Sequence, residues 1–319
     1  MRRFIWKDSL NLVSRLTTEE VSVMKSVQDY ARNELLPRVT NDFRNESFDR
    51  SIMEGMGNIG ILGCTIDGWN CAGLSNVAYG LAAREIEKVD SGYRSAMSVQ
   101  SSLVMHPIHA YGTEEQKNKW LPELASGKKV GCFGLTEPNH GSDPGGMETI
   151  AIEDGDHYVL NGSKTWISNS PLADVCIVWA KLDGAVRGFI VERDAVGASL
   201  ETPKIGGKVS LRTSTTGMIF LQDCKIKKDC MLPGVEGLKG PFGCLNKARY
   251  GIAWGTLGAA ESCLETAVEY CLDRKQFGKP LAGNQLIQKK MADAATEISL
   301  GLESCLTVGR HMDDGLVAV

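Results

Sequence analysis

No uninterrupted apolar run comes near the roughly 18 residues that a membrane-spanning helix requires. The stretch Ile252 to Ala260 is too short and too rich in glycine. Positive charge is not in excess either: 35 Lys and Arg stand against 39 Asp and Glu, a net charge of -4. That balance gives no electrostatic reason to expect a nucleic-acid partner, which needs a concentrated positive field. The ten cysteines include no C-x-x-C pair, and several sit in apolar runs such as Val175-Cys176-Ile177-Val178-Trp179. Reduced, mostly buried thiols are therefore expected rather than disulfides or a zinc site. His106 and His109 stand three apart with no third ligand at a plausible offset, so no metal centre is expected. No G-x-G-x-x-G follows a strand, and neither G-x-x-x-x-G-K-[ST] nor G-x-S-x-G occurs, which disfavours nicotinamide, P-loop and α/β-hydrolase chemistry. Met1 to Asp8 reads as too short for a signal or transit peptide.

What is present is ordinary globular material: 319 residues, 43% hydrophobic and 23% charged. A chain of that length is expected to form two or three packed units. The first third reads as helices. Thr17 and Glu20 offer a capping box, and Val23, Val27, Ala31 and Leu35 make one stripe that Pro37 ends. Ser75 caps a second helix expected to reach Asp90, with Ala78, Ala82, Ile86 and Val89 inward. Thr113 and Gln116 form another capping box, and Gly127 stops the helix that follows.

Near residue 131 the hydrophobic period changes from 3.6 to 2. Tyr158-Val159-Leu160, Asn161-Gly162 and Lys164-Thr165-Trp166-Ile167 read as a hairpin with a type I′ turn. Val175 to Lys181, Asp183-Gly184 and Arg187 to Glu192 repeat the pattern, and strands are expected around Met218 to Leu221 and Cys224 to Ile226. From about Gly240 long helices return: one from Phe242 to Arg274, the breaker Gly278-Lys279-Pro280, and one from Gln285 to about His311. Helix, sheet, helix in three blocks predicts an α+β fold with divisions at 1–131, 132–236 and 237–319. Periodicity alone leaves the role of such a protein open.

The informative segment is Phe133-Gly134-Leu135-Thr136-Glu137-Pro138-Asn139-His140-Gly141-Ser142-Asp143. Its hydroxyls and loop amides suit a planar polar ligand or a pyrophosphate, and a tight surface turn is the bland alternative. Thr-Glu-Pro-x-x-Gly-Ser-Asp at the opening of a β domain between helical domains resembles the flavin-dependent acyl-CoA dehydrogenase family. Lys164-Thr165-Trp166-Ile167-Ser168-Asn169 resembles the family's strand along the flavin, and Asp273-Arg274-Lys275-Gln276-Phe277-Gly278 with Gln285 resembles its second signature. The resemblance runs from about Trp6 to Arg310. Within the family, Asp90 to Ser102 looks like the glutaryl-CoA dehydrogenase branch.

That resemblance implies an N-terminal helical domain, a middle β-barrel or sandwich domain and a C-terminal helical bundle, incomplete here. It implies FAD as cofactor, contacted by Phe133, Leu135, Thr136, Ser142, Trp166, Ile167 and Ser168, with core packing as the alternative for Trp166 and Phe242. Arg274 and Gln285 would reach FAD of a neighbouring subunit, which implies a homotetramer. Ser142, Phe242, Leu245, Asn246 and Arg249 would line the CoA and acyl channel. In the glutaryl branch Arg94, with Ser95 and Ser98 beside it and Glu87 upstream, would hold the far carboxylate of the substrate, because a buried unpaired charge is costly. The implied reaction is oxidative decarboxylation of glutaryl-CoA to crotonyl-CoA and CO2, with electron-transfer flavoprotein as acceptor and the mitochondrial matrix as location. No catalytic base can be assigned: the family's usual glutamate would lie beyond Val319, and the alternative position holds Ala248. From His311 to Val319 the chain is expected to cease resembling the family. Another acyl-CoA dehydrogenase or oxidase, or a non-catalytic FAD- or CoA-binding chain, are the competing readings.

Overall fold

The computed structural model describes residues 5–316, so Met1 to Phe4 and Val317 to Val319, including parts of the two terminal segments read above, lie outside the described residues. Two compact units are formed. The first comprises the described residues of Met1–Pro37, Ser75–Ser91 and Tyr250–Val319, and the second Arg38–Leu74 and Gly92–Arg249. Sequence pattern divides the chain by period, whereas these units gather segments distant in sequence.

The first unit is helical. Thr17 caps the Thr18–Tyr30 helix, its side chain accepting from Glu20 N while Glu20 reaches back. The helix then widens into a π turn over Ala31–Leu35, with Leu36 N bonded to Ala31 O at 2.9 Å. Val27, Ala31 and Leu35 are buried, as their spacing predicts, while Val23 is only half-buried. Glu20 does more than cap. At 1% exposure it also accepts from Ser75 Oγ at 3.0 Å and from both Arg310 terminal nitrogens, the Nη2 bond being 2.7 Å. One carboxylate thus ties three distant segments.

Ser75 caps the next helix through Ala78 N, but that helix spans Asn76–Glu87 and stops short of Asp90. Its last turn tightens, with Val89 N bonded to Ile86 O, and Val89 ends half-buried. Two long helices complete the fold at the C-terminal side, Lys239–Asp273 and Gln285–Asp313; the first begins in the second unit. Between them a two-residue hairpin pairs Lys275 with Pro280. No described helix is long and apolar enough to cross a membrane.

The second unit is built around a seven-stranded sheet. Its strands, numbered within the sheet, are β1 Gly131–Gly134, β2 Ile150–Asp154, β3 His157–Ser168, β4 Val175–Leu182, β5 Ala185–Glu192, β6 Leu200–Glu201 and β7 Thr216–Lys227. The order is β1-β4-β2-β3-β7-β6, with β5 paired to β4. Val178, Phe189, Leu160, Ile219 and Cys224 are fully buried in its core. Helices precede the sheet in this unit, and all ten cysteines are unpaired, six of them buried.

The Asp183-Gly184 turn forms as predicted: both residues take positive φ, at 50° and 82°, and β4 and β5 pair in register around it. The second predicted hairpin does not form. Asn161-Gly162 lies inside the continuous strand β3, and the turn falls earlier, at Gly155-Asp156 between β2 and β3. Leu160 pairs with Cys224 but Gly162 pairs with Leu221, so the extra residue sits on β7 as a bulge. Asn161 serves the bulge by accepting from Asp223 N at 2.8 Å and donating to Asp223 Oδ1 at 3.2 Å. Gly162 is needed for two reasons: its φ is +146°, and a Cβ there would meet Thr149 Cα at 2.7 Å. Gly162→Ala is therefore expected to cost about 1–3 kcal/mol, read as a lower urea midpoint at unchanged slope.

Candidate functional site

A cavity of about 390 Å³ opens in the second unit, within the size range of small-molecule sites. Four segments line it. Phe133 at the end of β1 and the following Leu135 and Thr136 form one wall, and Gly141, Ser142 and Pro144 form the adjoining loop. Trp166, Ile167 and Ser168 come from the end of β3. Phe242, Leu245 and Arg249 stand at i, i+3 and i+7 on one helix face. Val99 and Leu103 close the remaining side.

Val99 and Leu103 are the residues that the sequence reading missed, along with Gly141 and Pro144. They belong to a π-helical segment, Val99–Met105, in which His106 N bonds five residues back to Ser101 O. Pro107 has no amide to give to Leu103 O, four residues back, so a regular α-helix cannot continue through this point. Gln100, fully buried, anchors the segment to the sheet: it donates to Leu124 O at 3.0 Å and Lys129 O at 2.8 Å and accepts from Gly131 N at 2.8 Å. Pro107 was the visible signal, but only the anchoring tells which aliphatic residues face the cavity.

The end of β3 is unusual. Lys164 pairs with Ile219 and Ile167 with Gly217, so β3 carries one extra residue here. Trp166 has φ of 59°, a region costly for a bulky side chain, and it is 61% exposed. Phe242 is 40% exposed. Core packing, the bland alternative for both, is thus excluded.

Behind the lining lies a buried ion pair. Lys164, at 0% exposure, donates to Glu137 Oε1 at 2.7 Å and to Leu135 O at 3.2 Å. Glu137 also accepts from Glu148 N at 2.5 Å, Thr149 N at 3.0 Å and Thr149 Oγ1 at 2.5 Å. Burial raises the Glu137 carboxyl, but these donors outweigh it and hold it at about 2. Burial lowers Lys164 to about 8, against the opposing pull of Glu137. Both groups remain charged at neutral pH. The signs then fix the acid response: the contribution of Glu137 is present above its ordinary value of 4.5 and disappears as pH falls through about 2.

Of the residues predicted for the site, Phe133, Leu135, Thr136, Ser142, Trp166, Ile167, Ser168, Phe242, Leu245 and Arg249 line the one cavity. Asn246 does not line it but accepts a hydrogen bond from Arg249. Arg94, Ser95 and Ser98 lie on the Ser91–Ser98 helix that leads into the π segment, and none of them lines the cavity; Arg94 is 8% exposed and Ser98 is buried. Glu87, Arg274 and Gln285 belong to the first unit. Glu87 is buried and accepts from Ser91 Oγ at 2.6 Å, while Arg274 and Gln285 are exposed. Ala248 is buried. Among the described residues lining the cavity there is one cation, Arg249, and no carboxylate, so no proton-abstracting group is found in it.

A larger cavity, about 460 Å³, lies in the first unit. Its charged residues are largely matched among themselves, with Arg84 and Lys88 facing Glu85 and Glu261, and it contains none of the predicted site residues. Among the described residues no cluster of three His, Cys, Asp or Glu could hold a metal.

Comparison with known proteins bears on this geometry. Family models described as acyl-CoA dehydrogenase N-terminal, middle and C-terminal domains match residues 17–128, 132–224 and 236–318; the last runs past His311 and corrects the expectation that the resemblance ends at Arg310. The chain is 37% identical to the human mitochondrial short-chain specific acyl-CoA dehydrogenase, over 88% of this chain and 69% of that protein. It is 43% identical to a glutaryl-CoA dehydrogenase of Mycobacterium smegmatis, with a TM-score of 0.96 over 99% of this chain and 81% of that one. A second structure of a glutaryl-CoA dehydrogenase from that organism, in complex with FADH2, matches at 43% identity and a TM-score of 0.93 over 96% of this chain and 79% of that one. With three domain models in order along nearly its whole length, the chain belongs to the acyl-CoA dehydrogenase family of oxidoreductases.

Proposed function

We propose that this chain binds FAD in the second-unit cavity and takes part in the α,β-dehydrogenation of an acyl-CoA thioester, with glutaryl-CoA as the substrate. The observation that carries the cofactor assignment is the convergence of three hydroxyl residues, Thr136, Ser142 and Ser168, with an exposed, positive-φ Trp166 on one cavity. A planar heteroaromatic ring with polar edges fits such a set: Trp166 offers a face, and the hydroxyls and nearby loop amides address the edge. When bound, FAD supplies the hydride acceptor of the reaction. Arg249, the cavity's cation, with Asn246 on its guanidinium, suits the anionic and polar parts of a CoA thioester.

The glutaryl assignment is supported by the Asp90 to Ser102 segment and by the 43% identity to glutaryl-CoA dehydrogenases. Arg94 would neutralise the far carboxylate, and its burial on the helix entering the π segment is consistent with that role. Turnover would yield crotonyl-CoA and CO2, electrons passing to an electron-transfer flavoprotein from a homotetramer in the mitochondrial matrix. A second reading, a straight short-chain acyl-CoA, is favoured by the apolar share of the lining (Val99, Leu103, Leu135, Phe242, Leu245) and by the human short-chain relative.

The test is spectroscopic. The purified chain, reconstituted with FAD, is expected to hold the flavin through gel filtration and to lose its long-wavelength absorbance on anaerobic glutaryl-CoA. Faster bleaching by butyryl-CoA supports the second reading. Retained flavin that no thioester bleaches indicates a binding chain without turnover, and a chain that takes no flavin overturns the assignment.

A further inference from the structure

We propose that the buried Lys164–Glu137 pair is a positioning device, setting the two strips of the cavity wall, Leu135-Thr136 and Trp166-Ser168, against each other. For the identity of the ligand it rests on the flavin reading above; the positioning itself does not.

Strand pairing does not hold this wall. Regular pairing with β7 skips from Lys164 to Ile167, so Thr165 and Trp166 are outside the ladder where the indole turns outward at positive φ. Strain of this kind persists only where the surroundings over-determine it. Thr165 N donates to Thr136 O at 2.9 Å. On either side of that bond Lys164 Nζ takes Leu135 O and Glu137 Oε1, so one ammonium grips the residues before and after Thr136. Glu137 extends the anchor to the amides of Glu148 and Thr149. A buried ion pair is weak evidence for stability, since apolar groups of similar volume often do as well. What such groups cannot do is aim: the two bonds the ammonium donates, and the three that Glu137 accepts from Glu148 and Thr149, fix the height of Thr136 relative to Trp166.

The double variant Lys164→Met/Glu137→Gln keeps volume and removes both charges, so it tests aim separately from folding. In ligand-free protein it is expected to melt close to the wild type, while hydrogen exchange at the Thr165 amide rises at least about tenfold, the loss of a hydrogen bond to a charged group. With FAD, its dissociation constant is expected to rise at least about tenfold and the flavin's absorption bands to shift toward those of free FAD. Wild-type exchange at Thr165 in the folded double variant overturns the proposal, as does unaltered FAD affinity with an unaltered spectrum. A double variant that cannot fold also overturns it, because the pair is then a stability element. If the wild type itself takes no flavin, the cofactor reading fails, and the ligand-free exchange comparison still decides the role of the pair.

Discussion

Arg94→Gln is expected to lower kcat/KM for glutaryl-CoA by about 30- to 5,000-fold while changing that for butyryl-CoA by less than about threefold. The magnitude is the 2–5 kcal/mol typically lost when one partner of a buried, hydrogen-bonded charge pair is truncated. The asymmetry comes from the substrate: glutaryl-CoA carries a carboxylate where butyryl-CoA ends in a methyl group, and a carboxylate taken out of water without a cation is heavily penalised. Glutamine keeps the polar shape and some hydrogen bonding but not the charge. Steady-state kinetics with both thioesters on the FAD-reconstituted protein reads the ratio. Equal losses would make Arg94 a structural residue and leave the short-chain reading standing. A selective loss would show that the Arg94 guanidinium acts on the carboxylate that distinguishes the two thioesters, and would support the glutaryl reading.

Which features were legible in the sequence follows from the range of the interactions behind them. Thr17/Glu20, Thr113/Gln116 and Asp183-Gly184 act over two or three residues, and all three formed as their chemistry dictates. Asn161-Gly162 carries the same local signature as a hairpin, yet the bulge there is decided by Thr149 and Asp223, which no neighbouring residue reveals. The cavity shows the same division. Its walls from residues 133–142 and 166–168 lie in two short motifs, and the 242, 245, 249 face follows from helical spacing. Val99 and Leu103 are ordinary aliphatics whose direction depends on a π register set by Pro107 and Gln100. Lys164 reads as one polar residue in an alternating strand; its partner is 27 residues away.

An interaction equally hidden from the local sequence is expected to have a large effect on stability. Arg84 and Glu261 are 177 residues apart in sequence and form a bidentate pair in the first unit, Nε to Oε2 at 2.6 Å and Nη2 to Oε1 at 2.5 Å. Arg84 is 8% and Glu261 7% exposed. Glu85 lies 3.4 Å from Arg84, and Lys88 reaches both Glu85 at 3.1 Å and Glu261 at 3.5 Å, so two cations face two carboxylates. Burial lowers the Arg84 guanidinium but its bonds to Glu261 prevail, raising it above the ordinary arginine value. Removing Glu261 leaves this cluster with an uncompensated buried positive charge. Glu261→Ala is therefore expected to destabilise the protein by about 3–5 kcal/mol, measured as a fall in the urea midpoint. Replacing both partners, Arg84→Met with Glu261→Leu, removes the charge imbalance and should recover most of that loss. Additive losses in the two single variants and the double would mean that the residues act independently, and that the helices carrying them are held by apolar packing instead.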